Sequence, residues 1–336
     1  MARLTTPPPG SEPRIDLASL PEPPARTRAD LQALSAALDA AIPPWIVDKN
    51  LLLATWNLRR LGDVTDRWRA RPDDRPKRDW TGVASIAEVL SRFDVIALQE
   101  VCGNLRALER ILALLGPTWR FLMTDVNAGA AGNGERMAYV YDRRRVSLSG
   151  LAAELVVPTD VWATITPGRF SDQFARAPYA VSFQARDTRL VLVTLHINYG
   201  RNPNEARLDE LHATARWLHT WSRRRHGHGS NVLLLGDFNI DRRGDALWQA
   251  FTSTGLTVPD ALHDVPRSIF TDKAHSLQSY YDQIAWFSRR RDTVRYDAAG
   301  SFDFVPHVYR RPALAKAAMS FRVSDHYPLW LEARVG

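Results

Sequence analysis

A single cysteine, Cys102, stands in a chain of 336 residues. It cannot close an intramolecular disulfide, and no thiolate cluster for a metal exists, so the core must hold by packing alone. Long hydrophobic runs are equally absent: no segment reaches the roughly 18 apolar residues that a membrane span requires. Pro7, Pro8, Pro9, Pro13, Pro21, Pro23 and Pro24 fill the stretch where a secretory leader would need apolar residues, which points to a cytoplasmic chain. The strings G-x-x-x-x-G-K-S/T and G-x-S-x-G do not occur, so neither a P-loop nucleotide hydrolase nor an elbow-type serine esterase is supported. Lysine is scarce: apart from Lys49, Lys77, Lys273 and Lys316, the 44 basic side chains are arginine, and against 37 acids they leave a formal net charge of +7. Arginine's planar fork grips phosphate at two points, so this excess suits a polyanionic partner, and it equally suits a genome whose base composition favours arginine. A hydrophobic content of 45% with 24% charge excludes collagen-like, wholly disordered and disulfide-scaffold classes.

Nine of the 21 prolines fall in the first 44 residues, which sets residues 1–44 apart as a Pro-rich, flexible segment ahead of a folded domain over 45–336. Within it Leu31, Leu34, Leu38 and Ile42 recur at three- and four-residue steps between Arg28 and Ile42, a helix that either docks or rides on a tether. From Leu51 onward short apolar runs alternate with amphipathic stretches. Strands are expected at Leu51–Trp56, Val95–Gln99, Met137–Tyr141, Ala180–Gln184, Leu190–His196, Val232–Asp237, Gln283–Phe287 and Pro328–Glu332. Helices are expected at Ser85–Phe93, Leu105–Leu115 and Glu205–Arg224. This mixture predicts an α/β protein whose sheets are covered by helices, without internal repeats.

Polar residues gather where these strands stop. Leu51-Leu-Leu-Ala-Thr-Trp-Asn57 ends in an amide, Asp94-Val-Ile-Ala-Leu-Gln-Glu100 in a carboxylate, and Val191-Leu-Val-Thr-Leu-His196 in an imidazole. Val232-Leu-Leu-Leu-Gly-Asp237-Phe-Asn239 ends in an acid and an amide, Tyr281-Asp282 opens a strand, and Ser324-Asp325-His326 precedes the last one. Strand ends at one edge of a sheet are where α/β folds place ligands. Taken singly, Glu100 or Asp325 reads as a solvated strand-end acid, and either histidine as a core or surface residue. Their company alters that weighing. A histidine paired with a carboxylate is a proton-transfer device, because the partner fixes the tautomer and stabilises the imidazolium. Phosphodiester cleavage needs such a device together with a divalent cation, and one or two carboxylates can hold Mg²⁺ among waters without a histidine cluster.

With WN at Trp56–Asn57, QEV at Gln99–Val101, LH at Leu195–His196, GDFN at Gly236–Asn239, YDQI at Tyr281–Ile284 and SDH at Ser324–His326, in that order, the chain resembles the endonuclease/exonuclease/phosphatase superfamily. Deoxyribonuclease I, AP endonucleases, inositol polyphosphate phosphatases, neutral sphingomyelinases and deadenylases belong to it. The resemblance covers about Leu51 to Val335, and GDFN and SDH are its most specific strings. It implies a four-layer sandwich of two packed mixed β-sheets flanked by helices, and phosphoester hydrolysis with Mg²⁺, or Mn²⁺ or Ca²⁺ in its place. Carried over by position, it implies that Glu100 binds the metal with Asn57 and Asp325 close by. Asp237 and Asn239 would hold water and phosphate oxygens, and Asp282 would orient His326. Members like deoxyribonuclease I carry a second pair, matched here by His196 and Glu135, and a phosphate-binding arginine, matched by Arg176. In-line attack then has one pair activating water and the other protonating the leaving oxygen: His326 with Asp282 for the water and His196 with Glu135 for the leaving group, or the reverse. The expected partner is nucleic acid, DNA before RNA. The alternative is a phosphatase or phosphodiesterase of the same superfamily acting on inositol phosphates, sphingomyelin-type or other small phosphoesters.

AP endonucleases place an acid two positions after the asparagine of WN, where this chain has Arg59, and no lipid-insertion hairpin of the sphingomyelinase kind is found. The loop Arg59–Trp80 mixes Arg59, Arg60, Arg67, Trp68, Arg69, Arg71, Arg75, Lys77, Arg78 and Trp80, a composition that can grip phosphates and stack on bases. It is also balanced by Asp63, Asp66, Asp73, Asp74 and Asp79, as a solvated loop would be. Arg223–Arg225 reads as a helix end, Arg289–Arg291 as a turn, and His226 with His228 as surface residues lacking a third ligand.

Overall fold

Strand β1 (Asn50–Leu61) shows how the sequence pattern becomes a layer. Its side chains alternate: Leu51 and Leu53 enter the core between two sheets, while Leu52, Ala54 and Trp56 enter a second core under helices. A strand covered on both faces must be apolar throughout, which is why it reads as a continuous run. The computed structural model describes residues 12–125, 134–157, 174, 176–199, 203–223, 231–271, 278–287 and 295–335; residues 224–230, with His226 and His228, and Arg289–Arg291 lie outside the described residues. In chain order the elements are α1 (Ala25–Ala41), β1, α2 (Trp80–Leu90), β2 (Val95–Val101), α3 (Arg106–Leu115), β3 (Trp119–Met123), β4 (Arg136–Asp142), β5 (Ser147–Glu154), β6 (Tyr179–Ala185), β7 (Thr188–His196), α4 (Pro203–Arg223), β8 (Asn231–Asp237), α5 (Ala246–Thr252), β9 (Leu256–Thr257), β10 (Asp282–Phe287), β11 (Tyr296–Ser301), α6 (Lys316–Ser320) and β12 (Leu329–Arg334).

The strands form two six-stranded sheets, ordered β11-β12-β1-β2-β4-β3 and β5-β6-β7-β8-β10-β9. Each has one parallel pair at its centre, β1 with β2 and β7 with β8, and antiparallel neighbours elsewhere. The C-terminal ends of β1, β2, β7 and β8 therefore share an edge with the starts of β12, β4, β6 and β10. Helices α2 and α3 cover the outer face of the first sheet, α4 and α5 that of the second, and the architecture is a four-layer α/β sandwich.

Helix α1 docks onto α2. It buries Leu31, Leu34 and Leu38 in the core that also holds Val83, Ile86 and Leu90. Because α2 is thus covered on both sides, every residue from Thr81 to Leu90 is buried, including Glu88, which Arg92 meets at 2.9 Å. Asp39 of α1 bonds Arg92 at 3.2 Å and Arg14 at 2.9 Å. Of the two readings of the α1 leucine stripe, docked or tethered, the structure shows the docked one, because the leucines have a surface to bury against. No helix among the described residues is long and apolar enough to cross a membrane.

Candidate active site

The first sheet breaks its own ladder at the edge where polar residues collect. Register slips between Asn57 and Leu61, and again between Leu98 and Val101. Arg59, Arg60 and Glu100 take left-handed backbone angles, with φ of 40°, 52° and 61°. Such conformations cost roughly 1–3 kcal/mol each for a residue with a side chain, and persist only where neighbours hold them. The neighbours are at hand: the Arg59 N–H donates to Asn57 Oδ1 at 2.9 Å and the Arg60 N–H to Glu100 Oε2 at 3.0 Å. Behind the loop lies Arg78, a buried guanidinium donating to the carbonyls of Leu58 at 2.6 Å, Arg59 at 3.1 Å and Arg60 at 3.0 Å. It also reaches those of Arg322 at 3.3 Å and Val323 at 3.1 Å. Burial pulls Arg78 down to about 10, which leaves it a cation at neutral pH. It thus ties the irregular end of β1 to the segment leading into Asp325.

In the second sheet Gly236 has no substitute. A Cβ there would lie 2.1 Å from the Leu195 carbonyl oxygen, so only glycine lets β8 run beside the end of β7 and deliver Asp237 opposite His196.

Asp237 is the hub. Asn57 Nδ2 donates to Asp237 Oδ2 at 3.0 Å and to Glu100 Oε1 at 2.9 Å, joining carboxylates from both sheets. The Asn239 N–H donates to Asp237 Oδ1 at 2.9 Å, and Asn239 Nδ2 to the Ile197 carbonyl at 2.6 Å. Facing Asp237 Oδ2 are His196 Nε2 at 3.7 Å and His326 Nε2 at 3.9 Å. Each imidazole turns its other nitrogen to a second acid: His196 Nδ1 lies 3.2 Å from Glu135 Oε2, and His326 Nδ1 lies 2.7 Å from Asp282 Oδ2. Arg176 meets Glu135 at 3.0 Å and donates to the His196 carbonyl at 3.3 Å. Asp325 stands at the rim, 3.0 Å from Arg59, with 26% of its side chain exposed. All the residues singled out by motif thus lie at one edge, with Asp325 and Glu100 on the solvent side and the two histidine pairs within.

Burial pushes the Asp282 carboxyl up to about 6, against the pull of His326. For His326 burial works downward, but the charge and hydrogen bond of Asp282, with Asp237 and Asp325, outweigh it and push the imidazole up to about 10. At neutral pH the pair is an imidazolium beside a carboxylate. Arg267 secures Asp282 from behind: fully buried over the Tyr280 ring, it donates to the Asp282 carbonyl at 3.0 Å and to that of Leu262 at 2.7 Å.

Asp237, Asp282 and His326 each offer a ligand atom within 4.8 Å of the others. A cation at that spot would have to displace the proton that Asp282 and His326 share. Glu100 and Asp325, the partly exposed acids of the site, and the buried Asn57 amide offer hard oxygen donors, the kind that Mg²⁺ takes.

The basic loop Arg59–Trp80 is tied mostly to its own surroundings. Trp68 is buried and donates to the Pro21 carbonyl at 3.0 Å, Arg67 lies 3.4 Å from Asp74, and Arg69 reaches the carbonyls of Arg311 and Pro312. In that loop Arg59 and Arg60 are the basic residues bonded to site carboxylates. Sequence reasoning missed the buried clamps Arg78 and Arg267, because a clamp is defined by carbonyls distant in sequence and leaves no local pattern. It also missed rings beside the motifs: Tyr199 three residues after His196, Phe270 two after Ser268, whose strand bridge pairs it with His326, and Phe321 four before Asp325. Proximity to a motif was their signal.

The model of the Endonuclease/Exonuclease/phosphatase family matches residues 54–326. Among solved structures, an endonuclease/exonuclease/phosphatase family protein from Bacteroides thetaiotaomicron is 19% identical, covers 85% of this chain and 98% of its own, and has a TM-score of 0.55. D. rerio TDP2 complexed with single-strand DNA product is 12% identical over 84% of this chain and 98% of its own, with a TM-score of 0.52. The human Nocturnin catalytic domain with bound sulfate anion is 13% identical over 86% of this chain and 95% of its own, at 0.50. At such identities the likeness is one of fold. A comparison with curated protein sequences finds no match.

Proposed function

This chain belongs to the endonuclease/exonuclease/phosphatase family, and from that premise we propose that it is a Mg²⁺-dependent phosphodiesterase that cleaves nucleic acid, DNA before RNA, in the manner of deoxyribonuclease I. The observation that carries this reading is the placement of two imidazole Nε2 atoms on one carboxylate oxygen, Asp237 Oδ2, each imidazole backed by its own acid. In-line displacement at a diester needs one proton removed from water and one given to the departing oxygen, and two opposed His–carboxylate pairs supply both. His326, oriented by Asp282, takes the proton of the attacking water at Nε2 in its neutral form, which it reaches as pH rises toward about 10. His196, oriented by Glu135, gives one to the leaving oxygen, and Asp237 between them orients the water. Asn57, Asn239 and Arg176 border the phosphate. Glu100, with Asn57 and Asp325, would hold the cation, which when bound neutralises charge building on the phosphoryl oxygens. The catalytic unit is residues 45–336, with α1 adding helical cover to it. The formal charge of +7, mostly arginine, supports a polyanionic substrate.

The test is cleavage of plasmid and oligonucleotide in Mg²⁺ by the wild type and by His326→Ala and His196→Ala. Each variant is expected to lose about 10²–10⁴-fold in kcat. Smaller losses reject the assignment, and release of inorganic phosphate from monoesters without nicking of nucleic acid transfers the activity to small phosphoesters.

A further inference from the structure

Among the described residues the largely exposed aromatic side chains are Tyr199, Phe270 and Phe321, at 50%, 55% and 54% exposure. All three stand on segments that carry site residues, which is unexpected if surface rings were scattered singly. Two of them share a further feature: one face of the ring is already covered by a guanidinium. Arg59 lies over Phe321 at 4.2 Å, and the same guanidinium meets Asp325 at 3.0 Å. Arg207 lies under Tyr199 at 4.5 Å while donating to the Asn239 carbonyl at 2.8 Å and pairing with Asp241 at 2.7 Å. Tyr199 is steadied further by the edge of Tyr281 at 6.4 Å, and Tyr281 in turn lies 5.7 Å from the His326 ring.

We infer that Tyr199 and Phe321 are stacking platforms for nucleobases on the two sides of the cleaved phosphate, so that the substrate is a strand whose bases are splayed rather than paired. The inference rests on the nuclease reading and narrows it. Each ring is pinned by an arginine that also contacts a residue of the GDFN or SDH segment, so a base lying on the ring holds its phosphate toward the catalytic acids. The platforms belong to different sheets: Tyr199 follows β7, and Phe321 lies against Arg59 of β1. A base in a duplex has both faces covered by its neighbours, so a ring can stack on it only where the strand is open. A lipid surface fits less well, because membrane insertion wants a contiguous apolar patch, whereas these rings each offer one free face beside charged groups.

The discriminating measurement compares kcat/KM, in Mg²⁺, on a single-stranded oligodeoxynucleotide and on a strand of equal length in which tetrahydrofuran abasic residues replace the nucleotides around the cleavage site. Wild type is expected to prefer the base-bearing strand. Tyr199→Leu and Phe321→Leu are each expected to lower that preference by about 5- to 150-fold, the range for loss of one base–aromatic stack. Both side chains are exposed, so an unchanged melting temperature is expected and separates the effect from misfolding. A wild type that cuts both strands equally, or variants that leave the ratio where it was, overturns the platforms while the nuclease reading stands. Failure of the wild type to cut either strand or a duplex overturns the nuclease reading itself. Binding of phosphatidylcholine–phosphatidylserine vesicles that both variants lose, without a change in the strand ratio, assigns the rings to a membrane surface instead.

Discussion

At the scale of single residues, the His326–Asp282 pair decides how the site responds to pH. Burial disfavours the charged form of both groups, yet the 2.7 Å hydrogen bond and the neighbouring Asp237 and Asp325 hold the imidazole protonated, up to about 10. A base must be neutral to accept a proton, so with His326 as base the rate climbs as pH rises toward that value; with His326 as acid it falls instead. Asp282→Asn removes the anion, and the imidazole then drops toward its ordinary value of about 6.5. The base limb of the pH–rate profile therefore moves to lower pH in the variant, while the maximal kcat falls by about 10²–10⁴-fold. Ring NMR of His326 in the metal-free protein follows the same shift directly. A limb and a resonance that stay put in Asp282→Asn would falsify the coupling.

At the scale of elements, the strands visible in the sequence and those missed divide cleanly. The eight expected strands correspond to β1, β2, β4, β6, β7, β8, β10 and β12, the interior positions of the two sheets. The four missed, β3, β5, β9 and β11, are the sheet edges. An interior strand is buried on both faces and must be apolar at nearly every position, whereas β5 has exposed or half-exposed residues throughout and carries no run or clean alternation to detect. Helix α1 could be read as a stripe but not as docked, since its partner α2, buried from Thr81 to Leu90, has no local pattern that names α1 as its neighbour. Leu34 is fully buried. Leu34→Ala is therefore expected to lower unfolding free energy by about 2–5 kcal/mol in denaturant, within a single transition. A loss below about 0.5 kcal/mol, the range of surface substitutions, would mean that α1 is no part of the cooperative body.

At the scale of the whole molecule, the site exists only where the two halves meet. Asn57, Glu100, Glu135 and the segment of Asp325 and His326 come from the first sheet, and Arg176, His196, Asp237, Asn239 and Asp282 from the second. Asn57 bridges them by donating to one acid of each. A cation bound at this seam should stabilise the folded chain, by about 2.7 kcal/mol at a hundredfold excess over Kd. Adding Mg²⁺ to protein stripped with EDTA is expected to raise the melting temperature, and Glu100→Gln to abolish most of that rise. An identical rise in the variant would place the cation elsewhere.

Local chemistry in the chain was enough to mark the interior strands, four of the six helices and the candidate acids and imidazoles at the strand ends, because burial on both faces and the needs of proton transfer each dictate residue types over a few positions. Which acid meets which imidazole was implied by the resemblance alone, and only tertiary structure brings the partners into contact. Glu135 and His196 are 61 positions apart in the numbering of the chain, and Asp282 and His326 are 44. They meet because one parallel pair at the centre of each sheet turns eight strand ends toward the same edge. The clamps Arg78 and Arg267 follow the same rule, since a buried cation is defined by the carbonyls that fold around it.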